Sequence, residues 1–432
     1  MTAEAAVTSK RAFDGDTAEL QTLCVSITDC HHSTPNWTDA GWIVVRSENI
    51  KNGRISLRDA SYTDETTFRE RIARTIPEPG DLIITREAPM GEIGMIPDGV
   101  ACCLGQRQVL IKPDAAKVNK HFLLYAMQSQ FVQKQIGASD ATGSTVSNLR
   151  IPLLKELQIP LLGDKPTQQK IAAVLSALDA KIDINNRINA ELEALAKTIY
   201  DYWFVQFDFP DAHGRPYKSS GGAMVWNDNL KREIPSGWKA GSLDDLGKIV
   251  GGSTPSTLNP DHFGQGMIPW ITPKDLSNNK GNKFITRGET DVSEAGMRSA
   301  SLTLHPAGTV LMSSRAPVGY LAIALNPVTT NQGFKSFVPS KGYGTSFVYY
   351  AVERSLPTII QYASGSTFVE ISGGVLKSVH AVLPNKSVTN AFCTLIEPIV
   401  KRQQQAEVEN VELTQLRDWL LPLLMNGQVR VA

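Results

Sequence analysis

The chain has 432 residues, with 43 basic and 43 acidic side chains, so its net charge is zero when the histidines are neutral. That length holds two or three domains with cores of their own, and a composition 42% hydrophobic and 20% charged is that of a soluble globular protein. No apolar run approaches the ~18 residues of a membrane span, and zero net charge excludes a histone-like coat while leaving room for local basic patches.

Residues 1–19 form a polar extension without the apolar stretch of a secretory signal. Five cysteines, at 24, 30, 102, 103 and 393, make no disulfide framework. Reduced thiols and a cytoplasmic location are expected. Residues 20–165 read as short strands broken by Gly, Pro and Asn, at 41–46, 81–85, 108–111 and 157–161. Phe122, Tyr125, Ala126, Phe131 and Val132 have helical spacing, which predicts one helix over 122–135.

Residues 166–209 read as a long helical segment. Ile171, Leu178, Leu192 and Ile199 keep a seven-residue register, and Leu175, Ile182 and Trp203 follow members of that register by four. Asn185 and Asn189 interrupt the seam, at a cost in stability and a gain in register. Residues 210–233, rich in Gly, Ser and Asn, read as a linker. Residues 234–389 then repeat the earlier pattern, with strands at 268–272, 309–313, 335–338 and 379–383 and a helix at 346–353. The final segment, 390–432, carries Phe392, Ile399, Ala406, Leu413 and Leu420 at seven-residue steps, with Leu395, Leu416 and Leu423 in the other seam position. Pro398 predicts a late start or kink, and Pro422 a disturbance.

The second globular region copies the first. Residues 80–91 read GDLIITREAPMG and residues 308–319 read GTVLMSSRAPVG; Gly-Ser-Thr at 143–145 returns at 365–367, and Leu-Lys at 154–155 returns at 376–377. The order is kept at an offset of roughly 220–230 residues, half the chain. The expected fold is α+β: two pseudo-repeated domains separated by two long antiparallel coiled-coil helices. About 38 residues at ~1.5 Å each make a rod of roughly 55 Å, on the order of one and a half turns of DNA, so the rod would act as a ruler.

The stretch TQQKIAAVLSALDAKIDINNRINAELEALAKTIYDYWF (167–204) and the stretch ELTQLRDWLLPLLMNGQV (412–429) resemble the helical regions of the specificity subunit of type I restriction–modification enzymes. ITDCHHSTPNW (27–37), IPSGW (234–238), GGSTPS (251–256) and IPWITPKDL (268–276) are similar to its reading domains. The resemblance covers nearly the whole chain. It implies two target recognition domains, each reading one half of a split double-stranded DNA site. It also implies helices that dock two modification subunits, the adenine N6-methyltransferases, together with restriction subunits. S-adenosylmethionine, ATP and Mg would belong to those partners, with no cofactor in this chain.

Base edges are read by Arg, Lys, Asn and Gln, with Ser and Thr on phosphates. In the first copy the loops after strands offer Arg46, Ser47, Asn49, Lys51, Arg86, Gln106, Arg107, Ser144, Thr145 and Asn148. The second offers Thr272, Lys274, Ser314, Arg315, Asn331, Gln332, Lys335, Ser366 and Thr367. For any one of them a solvated surface role competes with DNA contact. Leu178, Ile182, Asn185, Asn189, Leu192, Ile199, Ile399, Leu413, Leu416 and Leu420 are expected in the helix seam and subunit docking. The turn residues Pro89, Gly91, Pro317 and Gly319 shape loops.

Cys24, Cys30, His31 and His32 have poor spacing for zinc, and adjacent histidines in a strand face opposite ways. No Asn-Pro-Pro-Tyr or Asp-Pro-Pro-Tyr loop, glycine-rich cofactor loop or phosphate loop is present, so the chain is expected to be non-catalytic. The aromatic run Tyr200, Tyr202, Trp203 and Phe204 closes the helix onto a domain rather than stacking bases. The competing reading is a coiled-coil scaffold that binds proteins and no DNA.

Overall fold

A computed structural model describes residues 15–57, 60–87, 89–138, 148–315, 317–363 and 370–431. The chain divides into two compact units. One comprises residues 1–182 with 411–432, the other residues 183–410.

In the first unit an antiparallel sheet runs in the order Cys24–Asp29, Gln108–Pro113, Leu82–Thr85, Ile93–Met95. Its central strands are apolar on both faces because both faces are covered. Leu82, Ile84, Val109 and Ile111 pack with the helix Lys120–Gln128, while Ile83 and Leu110 turn to a second cluster with Val45, Ile50 and Cys102. The second sheet runs Cys102–Leu104, Trp42–Val45, Ser61–Thr63, Trp37–Thr38, its first pair parallel. Thr17–Glu19 pairs with Gln158–Pro160, so the end of the expected N-terminal extension is a strand of the domain.

The second unit repeats this strand by strand. Lys248–Gly251, Lys335–Val338, Val310–Met312 and Leu321–Ala324 form the first sheet, with Phe284–Ile285 added at its edge. Thr329–Thr330, Ile268–Ile271, Thr290–Val292 and Phe263–Gly264 form the second, again with its first pair parallel. Lys239–Ser242 pairs with His380–Leu383. The α+β repeat read from sequence is therefore present in detail.

Three expectations change. The helix at 122–135 is two, Lys120–Gln128 and Gln130–Ala138, because Ser129 is extended (ψ 148°) and its hydroxyl receives the amide of Val132. The second copy has one longer helix, Thr345–Ala363. The linker at 210–233 is ordered: Met224–Asn227 and Arg232–Pro235 form a hairpin, Asp208 accepts the Ser219 amide (2.7 Å) and hydroxyl (2.6 Å), and Phe209 stacks on Tyr217 and Trp238. Its Gly, Ser and Asn residues are turn residues within a packed motif.

The central helix spans Lys165–Tyr200 and ends in a π turn, Asp201–Val205, that buries Trp203 and Phe204 against Phe347 and Phe392. The distal helix spans Lys386–Met425. It starts well before Pro398, whose ring is exposed, so the carbonyl it leaves unpaired faces water. Within each unit the helices pair antiparallel. In the first, Ile171, Ala172 and Leu175 cluster with Leu424 and Met425. In the second, Asn185 donates to Glu409 (2.8 Å) and Asn410 (3.0 Å), and Gln403 donates to the Asn189 carbonyl (3.4 Å).

The first-helix seam is as expected: Ile182, Asn185 and Asn189 are buried, and Leu178, Leu192 and Ile199 are half-buried. On the distal helix Ile399, Leu413 and Leu420 are half-buried, but the other seam position falls four residues on, not three. It is filled by Ile396, Gln403, Arg417 and Leu424, while Leu395 and Leu416 are 51% and 42% exposed.

Polar contacts fasten each domain to the helices of its unit. Asp179 on the central helix accepts from Arg54 (2.9 Å), Arg417 (3.1 Å) and the Tyr125 hydroxyl (2.6 Å). Glu407 on the distal helix accepts the backbone amides of Lys283 (2.8 Å) and Phe284 (2.9 Å), closing the edge strand of the second domain. The buried Lys283 ammonium meets Glu193 (2.5 Å), Gln403 (3.0 Å) and the Tyr350 hydroxyl. Burial pushes Glu407 up to about 7, against the pull of those two amides and Lys283. Burial would also raise Glu193, but Lys283 and Gln403 hold it low.

Replacing Asp179 by Ala removes the acceptor that Arg54, Arg417 and Tyr125 share and should cost about 1.5–3 kcal/mol, visible as a lower urea midpoint; an unchanged midpoint would refute the anchor. Glu407 has a folded value above its ordinary 4.5, so folding takes up a proton. Its contribution to stability is full below about pH 4.5 and lost as pH rises through about 7. Glu407→Gln should flatten that fall in a urea series from pH 5 to 8, and an identical slope in both proteins would refute the assignment.

Candidate nucleic-acid interface

The rim begins where strand Leu82–Thr85 ends. The Thr85 hydroxyl donates to the Pro89 carbonyl (2.5 Å) and accepts the Glu92 amide (3.0 Å), and Gly91 closes the loop at φ +88°. Ser313 does the same in the second copy, bridging Pro317 (2.7 Å) and Tyr320 (2.9 Å), with Gly319 at φ +93°. One hydroxyl thus staples each Ala-Pro-x-Gly loop, and a residue with a Cβ at either glycine would be strained.

In the first copy Arg86 follows the staple, and its side chain is only 13% exposed. It donates to Asp29 (3.1 Å), Asn148 (3.2 Å) and the Leu149 carbonyl (3.1 Å). Asn148 donates on to Glu87 (2.8 Å), which pairs with Arg107 (3.1 Å). Arg107 projects, its side chain 60% exposed. Gln106 donates to the His32 carbonyl (2.7 Å) and Thr34 (3.1 Å). Gly105 donates to the Val45 carbonyl (2.8 Å), which brings exposed Arg46 and half-buried Ser47 to the same rim. Asn49 is buried and accepts the Arg46 amide (2.8 Å).

The second copy builds the counterpart. Thr272 and buried Asp275 cap the helix Pro273–Asn278, the Thr272 amide donating to Asp275 (2.8 Å) as the Arg46 amide does to Asn49. Ser314 is fully buried; its amide donates to the Gly333 carbonyl (2.7 Å) and its carbonyl accepts from Ile371 (2.8 Å). Arg315 projects beside Glu370 (3.2 Å), and Lys274 beside Glu289 (2.6 Å). Asn331 accepts the Gly333 amide (2.9 Å), exposed Gln332 meets Thr254, and half-buried Lys335 opens the strand paired with Gly251.

The loop residues therefore sort by function. Arg46, Ser47, Gln106 and Arg107, and Lys274, Arg315, Gln332 and Lys335, offer polar surface. Asn49, Thr272 and Ser314 are corrected to framework, because their side chains cap turns or lie inside the domain. Arg86, Asn148 and Asn331 brace neighbouring loops. Lys51 lies apart on the hairpin Ile50–Lys51/Arg54–Ile55, whose Arg54 reaches the central helix and whose Asn52 and Gly53 line a 270 Å³ cavity with Arg417, Asp418 and Leu421. Ser144, Thr145, Ser366 and Thr367 lie outside the described residues. His32 pairs with Asp29 (3.1 Å), and among the described residues no three His, Cys, Asp or Glu side chains converge for a metal. Burial pushes the Cys24 and Cys102 thiols up to about 12.

A groove of 440 Å³ beside Arg46, lined by Trp37, Thr38, Asp39, Arg46, Ala60, Ser61 and Tyr62, is not evident from the sequence. Trp37 was visible in ITDCHHSTPNW, but nothing local tied it to Arg46.

Two polar rims of one design, each on a domain followed by its own long helix, define a protein built from two copies of one domain. The type I restriction modification DNA specificity domain matches residues 37–194 and again 235–410, and the chain belongs to that family. It is 39% identical over 200 residues to the specificity subunit of the MjaIX type I restriction enzyme of Methanocaldococcus jannaschii, a match spanning 44% of this chain and 45% of that one. It is 26% identical over 373 residues to the HindI specificity subunit of Haemophilus influenzae, covering 74% and 80%. The type I restriction–modification S subunit from M. genitalium shares the fold, with a TM-score of 0.53 at 16% identity over 95% of each chain.

Arg86→Ala should lower the melting temperature of the free protein, because it releases three loops at once, whereas Arg107→Ala should leave it nearly unchanged. Thermal unfolding without DNA checks both; equal effects would refute the division into brace and tip.

Proposed function

We propose that this chain is the DNA-reading subunit of a type I restriction–modification complex, with each rim reading one half of a bipartite duplex site. The observation that carries the reading is the repeated rim within two matched specificity domains. The chain does no chemistry. Modification subunits would supply adenine methylation from S-adenosylmethionine, and restriction subunits, using ATP and Mg, would cut. Joining both readers in one chain makes the second contact intramolecular, raising affinity without new contacts. The modest basic excess of the second copy, 17 basic against 12 acidic residues over 210–389, implies weak binding alone and phosphate contacts added by partners. A cytoplasmic location follows from that role.

Docking of the modification subunits is assigned to the outer face of the distal helix, where Val411, Leu416 and Trp419 are 55%, 42% and 62% exposed. The residues Leu178, Ile182, Leu192, Ile199, Ile399, Leu413 and Leu420 are buried or half-buried and offer less surface for docking.

Selection from a random duplex pool by the chain co-purified with its modification subunit tests the reading. Enrichment of two short blocks around a fixed gap is expected, with affinity falling steeply with salt. A complex that enriches nothing would leave a protein scaffold and remove the DNA-reading function. Trp419→Ala should reduce recovery of the modification subunit several-fold; undiminished recovery would move the docking face elsewhere.

A further inference from the structure

We propose that the groove of the first domain reads a single G·C base pair, with Arg46 on guanine and Asp39 on cytosine. This rests on the DNA-reading function above and names the chemistry of one position in it.

The arginines of this rim differ in how they are held. Arg86 is consumed by Asp29, Asn148 and Leu149, and Arg71 is buried against the Leu104, Gly105 and Ser33 carbonyls. Arg46 instead lies over the exposed indole of Trp37, 5.5 Å from the ring centroid, with its side chain 45% exposed. Among the described residues its polar contacts, to Glu48 (2.7 Å) and Ser61 (3.4 Å), use Nη1. Among the described residues the Nε–Nη2 edge is left open. That edge is the planar two-donor fork that matches O6 and N7 of guanine. An indole face and a carboxylate on the far nitrogen fix the guanidinium plane before DNA arrives, which reduces the ordering cost of the contact.

The groove's charge argues for a base edge over a phosphate. Asp39 lines the same groove, and Glu48 pairs with Arg46, so among the described residues around Arg46 the balance is acidic. A carboxylate repels phosphate but accepts from the cytosine N4 amine. Guanidinium and carboxylate in one groove therefore supply both halves of a G·C major-groove pattern. The groove joins the rest of the rim, since Gly105, beside Gln106, packs on Arg46. The second copy cannot repeat the device: its corresponding strand carries Phe263, which packs on Trp270, and the residue matching Arg46 in the cap is Thr272.

The test repeats the random-pool selection with the full chain and its modification subunit, as wild type, Arg46→Ala, Arg46→Gln and Trp37→Ala. In the wild type one block should contain an invariant G·C pair. Arg46→Ala should relax that position alone, by roughly tenfold or more, the range of one bidentate contact. Arg46→Gln should shift it toward adenine, a gain that misfolding does not produce. Trp37→Ala, acting by position only, should loosen the same pair to a smaller degree. Uniform weakening across all positions by Arg46→Ala would make Arg46 a phosphate contact, and an unchanged motif would make the groove a bystander. Either result overturns the assignment while leaving the split motif, and with it the DNA-reading function, intact. A wild-type complex that enriches nothing removes both.

Discussion

A carboxylate on each long helix holds a basic strand edge of the domain that precedes it, and the rest of the architecture depends on that contact. Asp179 takes Arg54 in the first unit, and Glu407 takes the backbone at Lys283 and Phe284 in the second. A tyrosine of the helix packed on the sheet completes each site, donating to Asp179 from Tyr125 and to Glu193 from Tyr350. Apolar packing alone fixes the orientation of a domain on a helix poorly, because it is non-directional. A buried carboxylate with several donors accepts one geometry, and breaking it strands charge in a low dielectric. The rim of each domain is thereby held in one orientation on the helices of its unit.

The same polarity shapes the helix pairs. Asn185, Asn189, Gln403 and Arg417 are buried where an ideal coiled coil would place leucines. They reduce the stability of the seam and specify its register, since an amide pairs only with the group opposite it. Leucines off the seam, such as Leu416, are then exposed.

How far the sequence could be read follows from where the information lies. The repeat, the doubly buried strands and the first-helix seam are local patterns, so spacing alone reveals them. The distal seam was assigned by choosing leucines, which put Leu395 and Leu416 inside. Gln403 and Arg417 look like surface residues until Glu193 and Asp179, more than two hundred positions away, arrive to neutralise or bond them. The residues at 210–233 failed as a linker for a related reason: Asp208 and Phe209 organise the Gly and Ser turns through contacts that composition does not carry. The rims were found as loops, but their residues could not be sorted. Arg86 and Arg107 look alike in sequence, and only Asp29 and Asn148 make one a brace and the other a tip.

That division lets one scaffold present two different rims. The groups that hold the loops are hydroxyl staples and caps pointing inward: Thr85 and Ser313, Asn49 and Asp275. They fix the path of the backbone and leave the outward side chains free to differ. Where the first copy raises Arg46 on an indole, the second sets a capping threonine; where the first fills its rim with the Arg86 brace, the second sets a buried serine. Each change alters what the rim presents without touching the sheets beneath. Surface chemistry is thus separated from folding at the level of individual side chains, and a duplicated domain can present two surfaces without two folds.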